Sequence, residues 1–574
     1  MEQEIKQLPY GLSDFKSVRL QNLYYVDKTM YLPLLEKKAH YLFFIRPRRF
    51  GKSMFLSMME AYYDSFRTEK FDFYFHDLWI GSHPTPLKNI YQVLYLDFSR
   101  VSQDGKLEEN FNSYCCIQLD TFMSKYQQYY DPEVVAKFKQ SNDKSDKLNM
   151  IQSYANTHDL RLYLIIDEYD NFTNIVLNEQ GHDVYHALTH ASGFYRDVFK
   201  KFKGMFERIF MIGVSPVTLD DLTSGFNIGW NICTDPQFNM MLGFSEIEVR
   251  TMLNYYKSVG EKIGNVESMI ADMKPWYDNY CFAQESLTTD PKMFNSDMVL
   301  YYLSRYMSSG AAPREMLDTN TRTDYNKMKK LIQLDRLDGD RKGMMRKIAE
   351  DGFIYANVKE SFPAIDMMKP DMFPSLLFYY GMLTMVGMRG ERTILGIPNN
   401  NIRKQYYEYI LEEYGEEKSS ICLDKLSDYF DAMAFDGDWR PALSYIADAY
   451  KENSSVRTAI EGERSVQSFF AAFFSLTNYY LMTPEVELNH GYADIFMLPN
   501  HTHYKEVAHS YIIEMKYLKR SATEEDADKQ WNEAVEQVLD YAKGVRVVQL
   551  ADGSTIHCIV MQFRGWDLAR AEEV

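Results

Sequence analysis

The spacing of hydrophobic residues changes twice along the chain. From about residue 10 to residue 230, short apolar runs alternate with amphipathic segments long enough to form helices. Runs that are apolar throughout favour strands buried on both faces, so the pattern is typical of a mostly parallel sheet flanked by helices. The predicted strands are HYLFFI (40–45), VLYLDF (93–98), LYLIID (162–167) and RIFMIGV (208–214).

The rest of the chain follows two other patterns. Helical periodicity dominates from about 235 to 455, most clearly at 246–257 and 297–307. Further on, a helix near 460–477 precedes three strand patterns, PEVEL, YADIFML and YIIEMKYL. A helix near 524–543 then precedes two more predicted strands, VRVVQL and IHCIVMQF. We therefore predict an α/β multidomain protein with three parts: 1–235, a helical middle region at 236–455, and 456–574.

Composition limits the classes of function. With 574 residues the chain is too long for one hydrophobic core, and its 46% hydrophobic and 25% charged residues are typical of a globular protein. A formal net charge of −18 disfavours non-specific coating of nucleic acid, because phosphate contacts need a positive surface. A local basic groove stays open at 327–347, where a solvated pair of helices is the alternative.

Targeting and metal-binding signals are sparse. The start, MEQEIKQLPYG, lacks the parts of an export signal, and no apolar run reaches the length of about eighteen residues that spans a bilayer. We therefore expect a cytoplasmic protein with no membrane partner. The six cysteines form no C-x-x-C pair, which disfavours structural zinc. His186 and His190 are four apart but have no third ligand nearby, so ordinary helix-face positions are favoured.

The segment FFIRPRRFGKSMF (43–55) follows the pattern of a phosphate-binding loop between a strand and a helix, with its first glycine missing. Backbone N–H groups near Gly51, the ammonium of Lys52 and the hydroxyl of Ser53 are expected to hold phosphates and Mg²⁺. Small residues of the usual loop are replaced by Arg46, Arg48 and Arg49. Because guanidinium groups bind phosphate in a bidentate manner, we expect these arginines to contact it too.

An acidic pair follows the third predicted strand. In LYLIIDEYDN, Asp167 is placed to hold magnesium and Glu168 to polarise the attacking water, as an NTPase requires. A simple helix N-cap is the alternative for this pair. Asp97 is a rival magnesium carboxylate without an adjacent acid. Ser215, which ends RIFMIGVSP, is placed either to sense the γ-phosphate or merely to end a strand before Pro216.

These segments together resemble a known family of bacterial, Bacteroidetes-type proteins with an AAA-ATPase-like N-terminal domain and a PD-(D/E)XK nuclease-like C-terminal domain. The motifs, in the family's order over about 8–285, are LPYGLSDF, NLYYVDKTMYLPLLE, RPRRFGKS, LYLIIDEYDN, MIGVSP, LGFSEIEV and WYDNYCF. The resemblance implies that Arg46 is the usual form of the loop. It implies an AAA-like P-loop ATPase core at 1–235, which binds nucleotide through Lys52 and Ser53.

Two acids and a lysine lie on neighbouring strand patterns near the C-terminus. Glu514 and Lys516 are two apart on one predicted strand, so both side chains point to the same face. Asp494 lies on the preceding predicted strand and would face them across the sheet. Metal-assisted phosphodiester cleavage needs acids that hold Mg²⁺ and a cation that steers the attacking hydroxide. A cross-strand ion pair is the alternative explanation.

This D-(x)n-E-x-K pattern resembles the core of the PD-(D/E)XK nucleases, which implies a restriction-endonuclease-like domain over about 460–563. The resemblance implies that four further residues border the metal site: Glu463, which would be a metal ligand, Glu487, Gln537 and Tyr541. The family often has Gly-Arg-x-Asp where this chain reads GYAD at 491–494. That departure puts nucleic-acid contact, more than metal binding, in question.

The combined expectation is an ATP-binding ATPase coupled to a Mg²⁺-dependent nuclease that acts on DNA, with RNA as the second choice. Mn²⁺ is an alternative ion at the nuclease site, and assembly into a homo-oligomer is left open. The competing hypothesis is a nucleotide-operated switch or scaffold. In that case the nuclease-like domain would be catalytically inactive and would bind nucleic acid or protein.

Overall fold

The computed structural model describes most of the chain. The described residues are 5–102, 106–171, 194–218, 229–290, 292–318, 341–363, 366, 369–415, 422–453, 462–488 and 491–574. His186 and His190 lie outside the described residues, as does most of the basic stretch at 327–347. Contacts between residues divide the chain into two compact units, which are described separately.

The helices and strands have the following bounds. The α-helices are α1 Phe15–Leu20, α2 Leu32–Glu36, α3 Lys52–Tyr63, α4 Phe71–Phe75, α5 Trp79–Ser82, α6 Leu107–Tyr126, α7 Pro132–Gln140, α8 Lys144–His158, α9 Phe194–Met205, α10 Glu246–Ser258, α11 Val266–Tyr277, α12 Ser296–Ser309, α13 Arg341–Asp351, α14 Phe373–Tyr379, α15 Asn400–Gly415, α16 Leu423–Asp431, α17 Arg440–Asn453, α18 Glu463–Phe474, α19 Glu524–Ala542 and α20 Val545–Ala551. The strands are β1 Tyr41–Ile45, β2 Gln92–Asp97, β3 Leu162–Asp167, β4 Arg208–Gly213, β5 Val217–Thr218, β6 Trp230–Asn231, β7 Phe244–Ser245, β8 Met293–Phe294, β9 Phe353–Ala356, β10 Phe362–Pro363, β11 Thr384–Arg389, β12 Arg392–Gly396, β13 Tyr480–Leu488, β14 Gly491–Pro499, β15 His509–Leu518, β16 Thr555–Arg564 and β17 Asp567–Glu573.

The first unit contains a five-stranded parallel sheet with the strand order β2-β3-β4-β1-β6. All four predicted apolar runs form strands of this sheet, and every residue of β3 is buried, as expected for a strand covered on both faces. Since the strands are parallel, the loop after β1 and the acids after β3 lie at the same edge. β4 lies between those two strands.

The part of the first unit beyond this sheet is mainly helical, and the predicted helices near 246–257 and 297–307 are α10 and α12. The middle region also contains a small sheet of order β11-β12-β9, which the sequence analysis did not predict. β11 and β12 form an antiparallel hairpin through the turn at Gly390, where φ is +62°. The hairpin follows the segment FYYGML (378–383), in which a helix ends shortly before the first strand of the hairpin begins.

The second unit is built around a mixed sheet of order β13-β14-β15-β16-β17. β15 and β16 are parallel, whereas the other neighbouring strands are antiparallel. One core cluster includes Ile513 and Met515 of β15 with side chains of α17 and α18, and another includes Ile512 with side chains of α19. Helices therefore cover both faces of the sheet, and those over 423–453 belong to the same core as β15.

One strand prediction for this unit is wrong, and one strand of the unit was not predicted. VRVVQL was predicted as a strand, but it lies in the helix α20. Val547 and Ala551 are buried four residues apart, while Val545 and Val548 are exposed, so helical packing overrides the β propensity of valine. The chain also continues into β17, which was not predicted.

The two compact units do not follow the predicted boundaries one for one. The described residues up to Gly310 and those of Ile354–Asn399 belong to the first unit. The second unit takes Ala311–Asp318, Lys342–Phe353 and the described residues of Asn400–Val574. The division into three domains stays a prediction. Within the described part of the chain, no helix has both the length and the apolar composition needed to cross a bilayer.

Candidate active sites

The segment after β1 folds into a loop that ends at the N-terminus of α3. Gly51 is the N-cap of this helix and has φ +86°, a left-handed conformation that glycine adopts without strain. A helix N-terminus presents unpaired backbone N–H groups and the positive end of the helix dipole. The strand–loop–helix context that a phosphate-binding loop requires is therefore present.

Lys52 is the first residue of α3 and lies almost completely inside the loop. Its Nζ donates hydrogen bonds to the carbonyl oxygens of Arg46, at 3.1 Å, and Pro47, at 2.9 Å. Burial lowers the pKa of Lys52, while the carboxylates of Glu168 and Asp167 act in the opposite direction. The ammonium thus lies at the centre of the loop, where two of the loop's own carbonyl oxygens hold it.

Ser53 joins the loop to the acid at the end of β3. Its Oγ donates a hydrogen bond to Oδ2 of Asp167 at 2.6 Å, and the hydroxyl of Tyr95 donates to the same oxygen at 3.3 Å. Burial raises the pKa of Asp167, and the bond from Ser53 opposes this effect. A hydroxyl beside a strand-end carboxylate is a donor set that suits Mg²⁺, which usually takes one or two protein carboxylates and completes its shell with water and phosphate.

A cavity of about 350 Å³ adjoins the loop. Its polar lining includes Lys52, Ser53 and Glu168, the residue that follows Asp167. Its apolar lining comes mainly from segments well away from the loop in sequence: Pro9, Leu12, Tyr24, Met241, Met252 and Leu300. Small-molecule sites combine such apolar walls with a few polar groups, and the volume falls in their usual range of about 300 to 1,000 Å³.

Arg46 has a different role from the one predicted. Its guanidinium is buried between the rings of Phe44 and Phe282, 4.1 Å from each centroid. It donates to the carbonyl oxygens of Ile45, Cys233 and Phe238, and burial lowers its pKa to about 10. The prediction that Arg46 binds phosphate is wrong for this arrangement, because the side chain points into the core.

The other two arginines of the loop border the cavity. Nη1 of Arg49 lies 3.3 Å from Oδ2 of Asp297, and Arg49 has φ +66°. Arg48 also lines the cavity wall. Contact between these side chains and phosphate stays a prediction.

The two remaining candidates at this edge of the sheet, Asp97 and Ser215, are placed differently. Asp97 is paired with Asp167 in the register of β2 and β3, but its oxygens accept from Ser99 and Arg100 at the end of its own strand. Ser215 is completely buried and, among the described residues, is not part of the cavity wall. Asp97 nevertheless lines a second cavity together with Ser53 and Asp167, the predicted magnesium ligands, whereas Ser215 lines neither of the two cavities.

The C-terminal acids meet on one face of the second unit's sheet. One step beyond the pair Ile495–Ile513, the register places Asp494 opposite Glu514. The regular pairing stops there, and Oδ2 of Asp494 accepts a hydrogen bond from the backbone N–H of Met515 at 2.7 Å. Lys516 lies on the same face and donates to Oε1 of Glu514 at 2.8 Å. The predicted constellation therefore comes together.

Burial dominates the electrostatics of this cluster. Burial, and then repulsion from Glu514, raise the pKa of Asp494 to about 8. Burial raises the pKa of Glu514 as well, although the ammonium of Lys516 opposes it. For Lys516, burial acts to lower the pKa, but Glu514 and Asp494 more than offset it, and the pKa is raised. Two buried carboxyl groups that repel each other keep a proton more readily than exposed ones, and a cation beside them would favour its release.

Glu514 retains an unused oxygen that fits a metal ion. The side chain is only 2% exposed, and its Oε2 has no hydrogen-bond partner. A buried carboxylate oxygen without a partner is costly, and hard oxygen ligands are what Mg²⁺ prefers. Among the described residues, no group of three or more His, Cys, Asp or Glu side chains is arranged to hold a metal. The fit is thus to an ion held by two carboxylates that keeps several waters.

The four flanking residues implied by the resemblance differ in how they relate to this cluster. Glu463, half exposed at the start of α18, has Oε1 3.5 Å from Nζ of Lys516, so it contacts the lysine. Tyr541 is buried, and burial followed by the charge of Glu514 raises its pKa. Gln537 is exposed on α19. The side chain of Glu487 lies outside the described residues.

Sequence analysis missed one acid at the first site. Asp170 is 2% exposed, and its carboxylate accepts from the backbone N–H groups of Val214 and Ser215, the latter at 2.6 Å. Burial, and then the charge of Glu168, raise its pKa to about 6. The only signal in the sequence was a second aspartate in DEYDN, three positions after Asp167.

Two family models match the chain. The model described as "Predicted AAA-ATPase" matches residues 9–223, and that of the PD-(D/E)XK nuclease superfamily matches residues 461–573. The predicted layout of an N-terminal ATPase-like and a C-terminal nuclease-like domain is confirmed. The α/β multidomain fold class is confirmed as well, by these matches and by the two sheets.

Individual relatives are distant. The "Uncharacterized protein in vnfD 5'region" of Azotobacter chroococcum mcd 1 is 22% identical over 591 residues, which cover 97% of this chain and 96% of that protein. A solved structure of the Aeropyrum pernix ORC2 protein, titled as ADPNP-ADP complexes, has a TM-score of 0.30 at 10% identity. It covers 72% of this chain and 98% of that one.

Proposed function

We propose that this chain, with an AAA-ATPase-like domain and a PD-(D/E)XK nuclease-superfamily domain, hydrolyses ATP and cuts DNA in a Mg²⁺-dependent reaction. RNA is the second choice of substrate, and Mn²⁺ is an alternative ion. The nucleotide state of the first domain regulates the nuclease.

In the nucleotide site, each residue has a distinct task. Backbone N–H groups at the start of α3 and the ammonium of Lys52 hold the phosphates, and the apolar part of the adjoining cavity takes the base. Ser53 and Asp167 would hold magnesium, which neutralises charge that develops on the transferred phosphoryl group. Glu168 orients the attacking water and accepts its proton.

In the nuclease site, Asp494 and Glu514 would hold the metal ion, which supplies Lewis-acid stabilisation of the scissile phosphate. Asp494 must lose its proton to do so, because burial keeps its pKa raised. Lys516 points from the same face of β15 and is fixed by Glu514. Its ammonium is placed to orient the attacking water and to stabilise negative charge on the phosphate.

One observation carries the proposal that this site is catalytic: the unpartnered Oε2 of the buried Glu514, beside Asp494. A domain that had lost metal chemistry would gain stability by replacing or pairing that oxygen. A buried carboxylate oxygen without a hydrogen-bond partner, next to a second acid whose pKa is raised, supports a metal-ligand role for this pair.

The test is nucleic-acid cleavage by the purified protein. Linear duplex, single-stranded DNA and RNA are incubated with Mg²⁺ or Mn²⁺, with and without ATP. Cleavage should require the divalent ion and be lost in Glu514→Gln. The matched control is Glu506→Gln, which changes an exposed glutamate just before β15. Equal cleavage by Glu514→Gln and the parent would reject the proposed site.

The runner-up function is a nucleotide-operated switch or scaffold with an inactive nuclease-like domain. It is favoured by the ion pairs of Lys516 with Glu514 and Glu463, which place an ammonium beside the acids. Under this hypothesis, none of the substrates is cut, but ATP changes the affinity for a bound nucleic acid or protein. Ion-dependent cleavage that Lys516→Ala abolishes would exclude it.

A further inference from the structure

Glu168 has an unusual backbone conformation. Its φ of +48° lies in the left-handed region, which residues other than glycine rarely adopt. Such a conformation persists only where the surrounding structure holds it, and residues of this kind concentrate at active sites. Glu168, which lines the cavity, is therefore held in this conformation by its neighbours rather than by its own backbone preference.

The following turn is fastened to the end of β4. The backbone N–H of Tyr169 donates to the carbonyl oxygen of Ile212 at 3.2 Å, and its hydroxyl donates to the carbonyl oxygen of Ser215 at 2.8 Å. The carboxylate of Asp170 accepts from the N–H groups of Val214 and Ser215. Two consecutive side chains thus bind the segment that directly follows β4.

Glycine at the end of β4 makes room for this attachment. A Cβ at Gly213 would lie 2.4 Å from Oδ1 of Asp170 and 2.7 Å from the ring of Tyr169. Real Cβ atoms do not make such contacts, so any larger residue would displace the carboxylate. The strand end and the turn after Glu168 are matched to each other.

We infer that Asp170 is a positioning residue that orients Glu168 for ATP hydrolysis by fixing the left-handed turn to the end of β4. The inference rests on the proposed ATPase function. It assigns to Asp170 no contact with nucleotide or metal. Its acceptor bonds transmit any shift of the β4 end to the turn that carries Glu168.

The same turn has a second anchor that serves as a control. Nδ2 of Asn171 donates to the carbonyl oxygen of Phe98, just after β2, at 3.1 Å. Asn171 is buried like Asp170, and this side-chain hydrogen bond joins it to the strand on the opposite side of β3 from β4. Its loss should weaken the fold without releasing the turn from β4.

The experiment compares Asp170→Asn, Gly213→Ala, Tyr169→Phe and Asn171→Ala with the parent. For each full-length protein, ATP affinity is measured by calorimetry, steady-state hydrolysis gives kcat and KM, and melting temperature reports folding. Asp170→Asn and Gly213→Ala should lower kcat at least tenfold, with ATP affinity and KM within threefold of the parent. Tyr169→Phe should have a smaller effect, and Asn171→Ala should lower the melting temperature but keep kcat within twofold.

The outcomes separate this inference from the proposed function. If the parent hydrolyses ATP and either Asp170→Asn or Gly213→Ala, folded, retains the parent kcat, the inference is rejected and the ATPase stands. If Asn171→Ala lowers kcat as much as the β4 variants do, Asp170 has only a structural role. Should Asp170→Asn fail to fold, Gly213→Ala and Tyr169→Phe decide the matter alone. Absence of hydrolysis by the parent rejects both statements.

Discussion

Binding of a divalent cation at the nuclease site should depend steeply on pH. Burial, followed by repulsion from Glu514, raises the pKa of Asp494 to about 8, so at neutral pH the carboxyl group is mostly protonated. A metal ligand must be ionised, and metal binding therefore has to release this proton. Below the raised pKa, each unit of acidification should weaken metal binding about tenfold, or by about 1.4 kcal/mol.

The magnitude follows from the fraction ionised. Because its pKa is raised, Asp494 is mostly protonated at pH 6 and becomes ionised as the pH rises. The apparent affinity should thus rise by about tenfold per pH unit as long as Asp494 is mostly protonated, and level off once it is ionised. The sign is fixed by the direction of the shift, since a carboxyl group of ordinary pKa would be fully ionised throughout this range and would give no slope.

The assay is titration of the nucleotide-free protein with Mn²⁺ at about pH 6, 7 and 8, followed by calorimetry or by the spin resonance of free Mn²⁺. Asp494→Asn is titrated in parallel, because it removes the ionisable group and isolates this site from the one near Ser53. It should bind the ion more weakly and with a shallower slope, because only the raised pKa of Glu514 then contributes at this site. A parent affinity that does not change with pH, or an equal slope in Asp494→Asn, would refute the reasoning.

The remaining predictions concern the first domain. Lys52→Ala should weaken ATP binding about 10- to 100-fold, the loss of one charged hydrogen-bond donor, measured by calorimetry; unchanged affinity would argue against the loop. Glu168→Gln should keep ATP affinity but lower kcat by about 10² or more, measured by phosphate release; normal turnover would move the water-orienting role elsewhere. Arg46→Met should destabilise the fold by about 3 kcal/mol in denaturant unfolding, because three buried carbonyl groups lose their donor. A stability equal to that of the parent would contradict this structural role of Arg46.

Local rules were sufficient to predict the nuclease cluster. Side chains two apart on a strand share a face, so Glu514 and Lys516 could be paired from the sequence alone. The bond from Asp494 to the backbone of Met515 could not, because it depends on where the antiparallel pairing stops. The orphaned oxygen of Glu514 is likewise a property of packing, which no spacing rule encodes.

In the first domain, the sequence could not predict in which direction individual side chains point. Nothing in RPRRFGKS distinguishes Arg46, which turns into the core, from Arg48, which borders the cavity. The partners of Arg46 are carbonyl groups of residues about 190 positions away and the ring of Phe282. Asp170 was missed for the same reason, since its partners belong to β4, a strand that pairing places next to β3.

The position of Arg46 explains how a phosphate-binding loop keeps its shape without its first glycine. In the usual loop a glycine at this position lets the backbone approach the ligand closely. Here the backbone of Arg46 and Pro47 keeps its place in the loop, because both carbonyl oxygens accept hydrogen bonds from the ammonium of Lys52. The long side chain leaves the loop on the other side, where its planar group stacks between Phe44 and Phe282. The buried side chain of Arg46 thus fixes the start of the loop to the core, where glycine would have left the backbone free to change conformation. The loop's capacity for phosphate then depends on Gly51, Lys52 and the start of α3, which retain the usual pattern.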